Sequence, residues 1–343
     1  MPLVSIIVPC YNEQATIRLL LDAIRCQTMP NSDMEVIIAD GLSTDRTRDI
    51  IAEYQSEHPD LAICLVDNPR RIIPAALNCA LRAARGEYII RLDAHSVPAQ
   101  DYVERCVESL KMARGENVGG VWDIRPQGSG LVQQAIAIAA AHPFGAGDAR
   151  YRYTSESGYV DTVPFGAFRR EVFEQFGYFD ETLLSNEDYE YNARLRQAGG
   201  RIWLDPKIRS TYFARSSLGA LAKQYWRYGY WKRRMLQQYP KTLRWRQALP
   251  PVFVLSLLVL AIAGIAAGGA WVGALVRLLF VVELCAYFLV LAAGSIKPAQ
   301  RHNDFRLVLA VPVAIATMHF SWGAGFLWSA LTAPFWKIKS SKS

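Results

Sequence analysis

The stretch Val4-Ser-Ile-Ile-Val-Pro-Cys-Tyr-Asn-Glu13 decides the fold. Its first residues are mostly apolar and rich in β-branched side chains, which predicts a strand at 4–9 that is buried on both faces. A strand of this kind belongs to a sheet that is covered by helices on each side. The polar residues that follow it come where such a strand would end.

Similar apolar runs alternate with amphipathic helical stretches through about residue 205. Further strands are expected at 35–40, 61–66 and 87–93, and helices at 12–25, 44–54, 74–85 and 101–113, with Asn12 as the cap of the first helix. Alternation of this type with short joints predicts an α/β fold with a mostly parallel, Rossmann-like sheet. Ligands of such sheets bind at the carboxyl ends of the strands.

Charge divides the chain into two parts. The net charge is +7, but eighteen of the 38 Lys and Arg residues follow Pro206, where Glu283 and Asp304 are the only acids. The first part is therefore acidic and the second strongly basic, which favours contact of the second part with an anionic surface. We expect one large domain at 1–215 and a basic, aromatic segment of interfacial helices at 216–248.

Hydrophobic segments follow at 249–335, and a basic tail closes the chain at 336–343. The three apolar stretches 249–268, 271–293 and 307–331 each approach the roughly 20 residues that a spanning helix requires. They predict a membrane protein with two to three spanning helices.

The positive-inside rule makes the topology ambiguous. Basic residues lie both in the loop 295–306 and in the tail, at Lys337, Lys339 and Lys342. The rule places both segments in the cytoplasm, which three complete spans cannot satisfy. The third stretch contains Pro312 and a Gly-Ala-Gly sequence, so a re-entrant or interfacial hairpin there is our hypothesis.

The segment 223–246 carries eight Lys and Arg residues, no acid, and many aromatic residues between them. This composition suits a clamp for single-stranded nucleic acid or an amphipathic helix at an anionic membrane surface. Because an apolar stretch follows directly, we expect membrane lipids as the partner and no nucleic acid.

The cysteines indicate a reducing compartment. The six cysteines have no metal-type or redox-type spacing, and the N-terminus shows no secretory signal pattern. We expect the first domain to face the cytoplasm of a bacterial inner membrane.

The ligand motifs lie at the predicted strand ends. Neither a Gly-x-Gly-x-x-Gly fingerprint nor a Gly-Lys-Ser/Thr loop is present, so other residues must bind a phosphate group. Asp93-Ala-His95 places a carboxylate and an imidazole on one face of an extended backbone, where both could bind one divalent cation. The alternative is a helix-capping aspartate beside an ordinary loop histidine.

A second acidic motif, Asn186-Glu187-Asp188, begins a predicted helix that ends at Gly199-Gly200. Acids near a helix start also serve capping and the helix dipole, which is the alternative interpretation. The functional interpretation makes Glu187 and Asp188 catalytic candidates, with Asp188 as the general base that deprotonates a hydroxyl group.

Together these motifs carry a resemblance. The N-terminal stretch, Asp40 with Ser43-Thr44-Asp45, both acidic motifs and Gln224-Tyr-Trp-Arg227-Tyr228 occur in the order typical of family 2 glycosyltransferases with the GT-A fold. Within that family the chain resembles the ExoA-type enzymes of succinoglycan and related exopolysaccharide assembly.

The resemblance implies an inverting transfer from a UDP-sugar to a polyprenyl-diphosphate-linked saccharide. It implies site residues by motif match: Pro9, Tyr11, Glu13, Asp40 and Asp93 for the nucleotide, Asp93 and His95 for the metal, and Asp188 for the base. A polyprenyl-phosphate acceptor and a non-catalytic membrane scaffold are the alternatives.

Two positions depart from the family pattern. The usual Asp-x-Asp is Asp-x-His at Asp93 and His95, which favours Mn²⁺ more than a site with oxygen ligands alone would. The expected cofactor is a divalent cation, Mn²⁺ or Mg²⁺. The second motif consists of Gln224, Arg227 and Tyr228, and the resemblance implies that it binds the acceptor and the phosphates. Tyrosine replaces the usual tryptophan at its last position. A processive synthase is therefore disfavoured.

Overall fold

A computed structural model describes residues 1–269 and 271–332, with the backbone alone for Lys241. The chain divides into two compact units: residues 1–123 with 149–212, and residues 124–148 with the chain from 213 onward. The expected tail at 336–343, with Lys337, Lys339 and Lys342, lies outside the described residues.

Among the described residues, the first unit is built on a nine-stranded sheet. Its strands are β1 (Val4–Cys10), β2 (Met34–Asp40), β3 (Ala62–Asp67), β4 (Tyr88–Arg91), β5 (Val97–Pro98), β6 (Asn117–Arg125), β7 (Gly158–Tyr159), β8 (Ala167–Arg169) and β9 (Ile202–Phe213). Their order is β3-β2-β1-β4-β8-β6-β9-β5, and β7 pairs with β9. The parallel pairing of β1 with β2 and β4, and of β2 with β3, confirms the predicted sheet. The pairings of β8 with β4 and β6, and of β9 with β5 and β7, are antiparallel, which the sequence did not predict.

The helices alternate with these strands and then follow them. They are α1 (Ile17–Arg25), α2 (Thr47–Glu57), α3 (Ile73–Ala83), α4 (Tyr102–Lys111), α5 (Leu131–Ala141), α6 (Pro143–Ala146), α7 (Arg170–Phe176), α8 (Glu187–Gln197), α9 (Leu218–Gln238), α10 (Trp245–Ala266), α11 (Trp271–Arg301) and α12 (Leu307–Thr332). The expected domain 1–215 includes α5 and α6, which the structure groups with the C-terminal helices instead.

Both faces of the central parallel strands β1, β2 and β4 are buried, and successive side chains of each strand point to opposite sides. On one face, Ile6 and Val8 pack in a core with Leu20 of α1. On the other face, Ile7 packs in a second core with Leu77 of α3. The two cores hold the strand ends in a fixed register.

Helix α1 begins five residues later than expected. Asn12 has a φ of 54° and does not cap the helix. Its backbone N–H donates to Ser43 Oγ at 2.8 Å, and its Oδ1 accepts from the Thr44 N–H at 2.8 Å. The residues after β1 therefore form a loop that is tied to the loop after β2.

The hairpin expected in the third apolar stretch is wrong. Helix α12 runs without a break through Pro312 and through Gly323-Ala324-Gly325. The two glycines serve close packing instead of a chain reversal. A Cβ atom on Gly323 would lie 2.6 Å from the Pro250 carbonyl oxygen of α10.

The basic helix α9 packs directly against α12. A Cβ atom on Gly229 would lie 2.1 Å from the Trp322 carbonyl oxygen, and one on Gly325 would lie 2.3 Å from the Trp226 carbonyl oxygen. Gly229 of α9 faces Trp322 of α12, whereas the earlier residue Trp226 faces the later residue Gly325. The two helices therefore run antiparallel. Backbones this close exclude any larger residue at either glycine.

Of the described helices, α10, α11 and α12 are long and apolar enough to cross a membrane, which indicates membrane association. Their surroundings differ, because α12 is the most covered by protein and α11 the least. Trp322 Nε1 of α12 donates to the Gln247 carbonyl in the first turn of α10 at 3.1 Å. His319 Nδ1 of α12 lies 2.9 Å from the hydroxyl group of Tyr287 on α11.

Candidate active site

The ends of β1 and β2 bring the first group of predicted nucleotide residues together. Pro9 lies beside Ala39 in the parallel register of the two strands. Tyr11 is exposed, and its ring covers Gly41 so closely that a Cβ atom there would lie 3.0 Å from Tyr11 Cδ2. The loops therefore present an aromatic surface next to the end of β2.

Asp40 is fully buried at that strand end. Its Oδ1 accepts from Ser43 Oγ at 2.5 Å, and its Oδ2 accepts from the Ser43 N–H at 2.9 Å and from Arg48 Nη1 at 3.3 Å. Arg48 also donates to Asp67 at 2.9 Å. Asp40 thus fixes the loop after β2, and its expected bond to a uracil base stays a prediction.

Glu13 links the first loop to the loop after β4. Its Oε1 lies 3.1 Å from Nδ1 of His95, whose side chain is 49% exposed, and its Oε2 accepts from Thr16 Oγ1 at 2.5 Å. Burial alone would raise the pKa of Glu13, but the hydrogen bonds from His95 and Thr16 hold it below its usual value. An ionised Glu13 is thereby kept beside His95.

The backbone around Asp93 is a turn, not the extended strand end that we expected. Strand β4 ends at Arg91, and the Ser96 N–H donates to the Asp93 carbonyl at 2.9 Å. The capping interpretation is also wrong for Asp93, since the N-cap of α4 is Asp101. The turn, which holds both Asp93 and His95, projects from the carboxyl end of the sheet.

Arg91 connects the two acidic motifs. Its Nε and Nη2 donate to Asp93 Oδ1 at 3.2 and 3.1 Å, and Nη2 also donates to Glu187 Oε1 at 3.1 Å. The side chains of Arg91 and Glu187 are 6% and 7% exposed, and that of Asp93 is 28% exposed. Sequence reasoning missed Arg91, although a charged residue at the end of a buried strand was the available signal.

The two acids of the second motif differ in their surroundings. Glu187 is the first residue of α8, it is buried, and it follows Asn186 in the left-handed region with a φ of 67°. Burial raises the pKa of Glu187 above its usual value, although Arg91 opposes this. Asp188 is half-buried, and its Oδ1 accepts from the Tyr189 N–H at 2.7 Å. Asp188 is therefore the more accessible of the two carboxylates.

Asp93 and His95 supply only part of the ligands that a divalent cation requires. No group of three or more His, Cys, Asp or Glu side chains within the described ranges could hold a metal ion by itself. Asp93 and His95 offer a carboxylate and an imidazole, and the hydrogen bonds of Asp93 engage Oδ1, which leaves Oδ2 for a ligand. Two protein ligands suit a cation whose remaining ligands are substrate phosphates and water.

The residues expected to bind the acceptor and phosphates belong to α9 in the second unit. Gln224 Nε2 donates to the Tyr228 hydroxyl at 3.0 Å, and Arg215 Nε donates to Gln224 Oε1 at 3.3 Å, while Arg227 is exposed. Tryptophan at 228 could not accept this bond, because its indole N–H only donates. The tyrosine therefore orients Gln224 in a way that the usual residue would not.

The chain is similar to known proteins in sequence and in fold. The model of the glycosyl transferase family 2 matches residues 5–177. The succinoglycan biosynthesis protein ExoA of Rhizobium meliloti is 33% identical over 94% of this chain and 93% of its own length. A dolichyl N-acetyl-α-D-glucosaminyl phosphate 3-β-D-2,3-diacetamido-2,3-dideoxy-β-D-glucuronosyltransferase of Methanococcus voltae is 28% identical over 77% of this chain and 83% of its own.

The chain also shares its fold with solved structures, as one example shows. The mannosyltransferase PcManGT from Pyrobaculum calidifontis, in complex with GDP-Man and Mn²⁺, superposes with a TM-score of 0.64 and 24% identity. The match covers 95% of this chain and 87% of that one. The family match, the relative at 33% identity and the shared fold lead to one conclusion: the chain belongs to glycosyl transferase family 2 and is a glycosyltransferase with a GT-A-like fold.

Proposed function

We propose that the protein moves a sugar from a UDP-sugar to a hydroxyl group of a polyprenyl-diphosphate-linked saccharide, with inversion at the anomeric carbon. The observation that carries the proposal is the buried bridge from Asp93 through Arg91 to Glu187. It joins a candidate metal-binding turn to the start of helix α8, whose second residue, Asp188, is the candidate base. The name of the relative from Rhizobium meliloti, which refers to succinoglycan biosynthesis, supports a product used in exopolysaccharide or another cell-surface glycan.

On the donor side, Pro9, Tyr11, Glu13 and Asp40 line the nucleotide, and the exposed Tyr11 ring offers a surface for stacking. Asp93 holds the ribose and, together with His95, a Mn²⁺ or Mg²⁺ ion. A bound cation neutralises the charge that develops on the leaving diphosphate. Among the described residues, the hydrogen bonds to Asp93 engage Oδ1 and leave Oδ2 open, which supports this role.

On the acceptor side, Asp188 takes the proton of the attacking hydroxyl group, and Glu187 holds the start of α8 against Arg91. Gln224, Arg227 and Tyr228 bind phosphate groups of the substrates. A polyprenyl-phosphate acceptor is the alternative, but a phosphate is already ionised and needs no base. The Methanococcus voltae relative is named as a transferase that acts on a dolichyl-linked sugar phosphate, which favours a lipid-linked saccharide.

A donor panel tests this function. Membranes that contain the protein and lipid-linked saccharides are incubated with several UDP-sugars and with GDP-mannose, with and without EDTA. We expect release of UDP from one UDP-sugar, loss of release in EDTA, and a lipid product that gains one sugar on thin-layer analysis. Release from GDP-mannose alone would overturn the donor assignment, and a product with its sugar directly on polyprenyl phosphate would favour the alternative.

For the membrane we propose two spanning helices, α10 and α11, in a bacterial inner membrane, with the catalytic unit in the cytoplasm. Helix α12 stays with α9 on the cytoplasmic side, because a helix as basic as α9 cannot cross the bilayer and α12 lies against it. Exposed apolar residues such as Ile262, Ile265 and Trp271 at the far ends of α10 and α11 support burial in lipid. Both basic segments, 295–306 and 336–343, then satisfy the positive-inside rule.

Two reporters check this topology. A green fluorescent protein fused after residue 343 should fluoresce, and alkaline phosphatase fused there should be inactive. In a Cys285→Ser background, Gly269→Cys should react with a membrane-impermeant maleimide in intact cells. The glycine has no neighbour within 4 Å of a Cβ atom, so the new side chain fits. Active phosphatase at the C-terminus would show that α12 crosses the membrane.

A further inference from the structure

We propose that Arg91 is a positioning residue that couples the donor-side carboxylate Asp93 to the start of the helix that carries Asp188. The inference rests on the proposed function, because it assigns Asp93 to the donor and Asp188 to the acceptor. It adds a residue that neither the motifs nor the predicted ligands include.

The position of Arg91 is fixed by the sheet. It is the last residue of β4 and lies beside Ile7 in the parallel register with β1. Its own N–H donates to the Gly166 carbonyl at 3.0 Å, on the side of β8. The backbone of Arg91 is thus held by the chain on both sides of β4, which fixes the point from which its side chain extends.

The guanidinium group divides its donors between the two acidic motifs. Nε and Nη2 both reach Asp93 Oδ1, and Nη2 also reaches Glu187 Oε1, which lies 96 positions away in sequence. A planar fork of donors can hold two carboxylates in one geometry, whereas the ammonium group of lysine acts as a single point charge. The distance between the two acidic motifs is thereby set by one residue.

Burial makes this arrangement sensitive to change. Burial alone would lower the pKa of Arg91, but Asp93 and Glu187 hold it above its usual value, so it is charged. Its Nη1 atom is buried and has no hydrogen-bond acceptor among the described residues. Because this atom is enclosed by the protein, Arg91 acts through the two carboxylates that it holds and not through a contact with the substrate.

Arg91→Lys tests the coupling while it keeps the positive charge. Hydrogen-bonding partners of metal ligands typically contribute about 10- to 100-fold to metal affinity or activity. We expect kcat to fall by about that factor, and the Mn²⁺ concentration that half-saturates nucleotide binding to rise by about 10-fold. Nucleotide binding in EDTA, measured by calorimetry, should stay within two-fold of the wild type.

Arg85→Lys is the matched control. Arg85 also directs Nε and Nη2 at one carboxylate oxygen, Glu35 Oε2, at 2.9 and 2.7 Å, but this pair lies at the opposite end of the strands. The variant Arg85→Lys should leave kcat and the Mn²⁺ dependence of nucleotide binding unchanged. If Arg91→Lys fails to fold, Glu187→Gln provides the second variant, because it weakens the same bridge from its other end and should also raise the half-saturating Mn²⁺ concentration.

The outcomes separate the two proposals. Equal effects of Arg91→Lys and Arg85→Lys, or a fall in melting temperature with kcat and Mn²⁺-dependent binding within two-fold of the wild type, would reduce Arg91 to a structural role. Failure of the wild type to transfer any sugar would count against the proposed function. The binding comparison, made with whichever nucleoside diphosphate the wild type binds, would still decide the role of Arg91.

Discussion

Asp188→Asn is expected to lower the rate of sugar transfer by about 10²- to 10⁴-fold, the contribution typical of a general base. Asparagine keeps the size and the hydrogen bond to the Tyr189 N–H but cannot take a proton from the acceptor hydroxyl. The Kd of the nucleotide-sugar should change little, because Asp188 is assigned to the acceptor. Transfer is measured as labelled sugar in the lipid product, and the Kd by calorimetry.

Asp49→Asn is the control for this variant. Asp49 is an exposed acid in the first turn of α2, as Asp188 is an acid in the first turn of α8. If the role of Asp188 were only to interact with its helix dipole, both variants would lose about 0.3–1 kcal/mol of stability and keep their activity. Retained turnover in Asp188→Asn would reject it as the base and favour the polyprenyl-phosphate acceptor.

The second large effect is expected for Asp93→Asn. This variant removes a negative charge from the proposed metal site and weakens the pairing with Arg91. We expect kcat/KM to fall by about 10²- to 10³-fold, which corresponds to about 3–4 kcal/mol of transition-state stabilisation. Mn²⁺ should no longer strengthen nucleotide binding, which calorimetry in Mn²⁺ and in EDTA would measure.

Asp101→Asn controls for the loss of an arginine-paired carboxylate. Asp101 accepts from Arg105 Nε at 2.6 Å at the start of α4. Only the variant at Asp93 should change the response to Mn²⁺. A variant at Asp93 that still binds nucleotide more tightly in Mn²⁺ than in EDTA would remove this residue from the metal site.

Much of the first unit was predictable, because its signals are local. Short apolar runs and the stretches between them gave the parallel strands β1 to β4 and the helices α1 to α4, within a few residues except at the start of α1. That start was misplaced because Asn12 bonds to Ser43 and Thr44, about thirty positions away, instead of to its own helix. A capping pattern in sequence cannot distinguish these two uses of one side chain.

The antiparallel half of the sheet and the grouping of α5 and α6 were less predictable. Strand β8 has three residues and pairs with β4 far earlier in the chain, so no periodic pattern marks it. Helix α5 is apolar like a core helix, and its composition does not indicate which of the two units it belongs to. In α12, Gly323 and Gly325 suggested a break, whereas they allow close approach of neighbouring helices.

The sequence by itself determined the parallel strands, the polar motifs at their ends and the three apolar helices, because each depends on the pattern of neighbouring residues. Only the tertiary structure decided that Arg91 joins Asp93 to Glu187, that Glu187 is buried while Asp188 is accessible, and that α12 lies against α9. These contacts depend on the order and register of distant elements. Local pattern does not encode that order, because it arises from the packing of the whole chain.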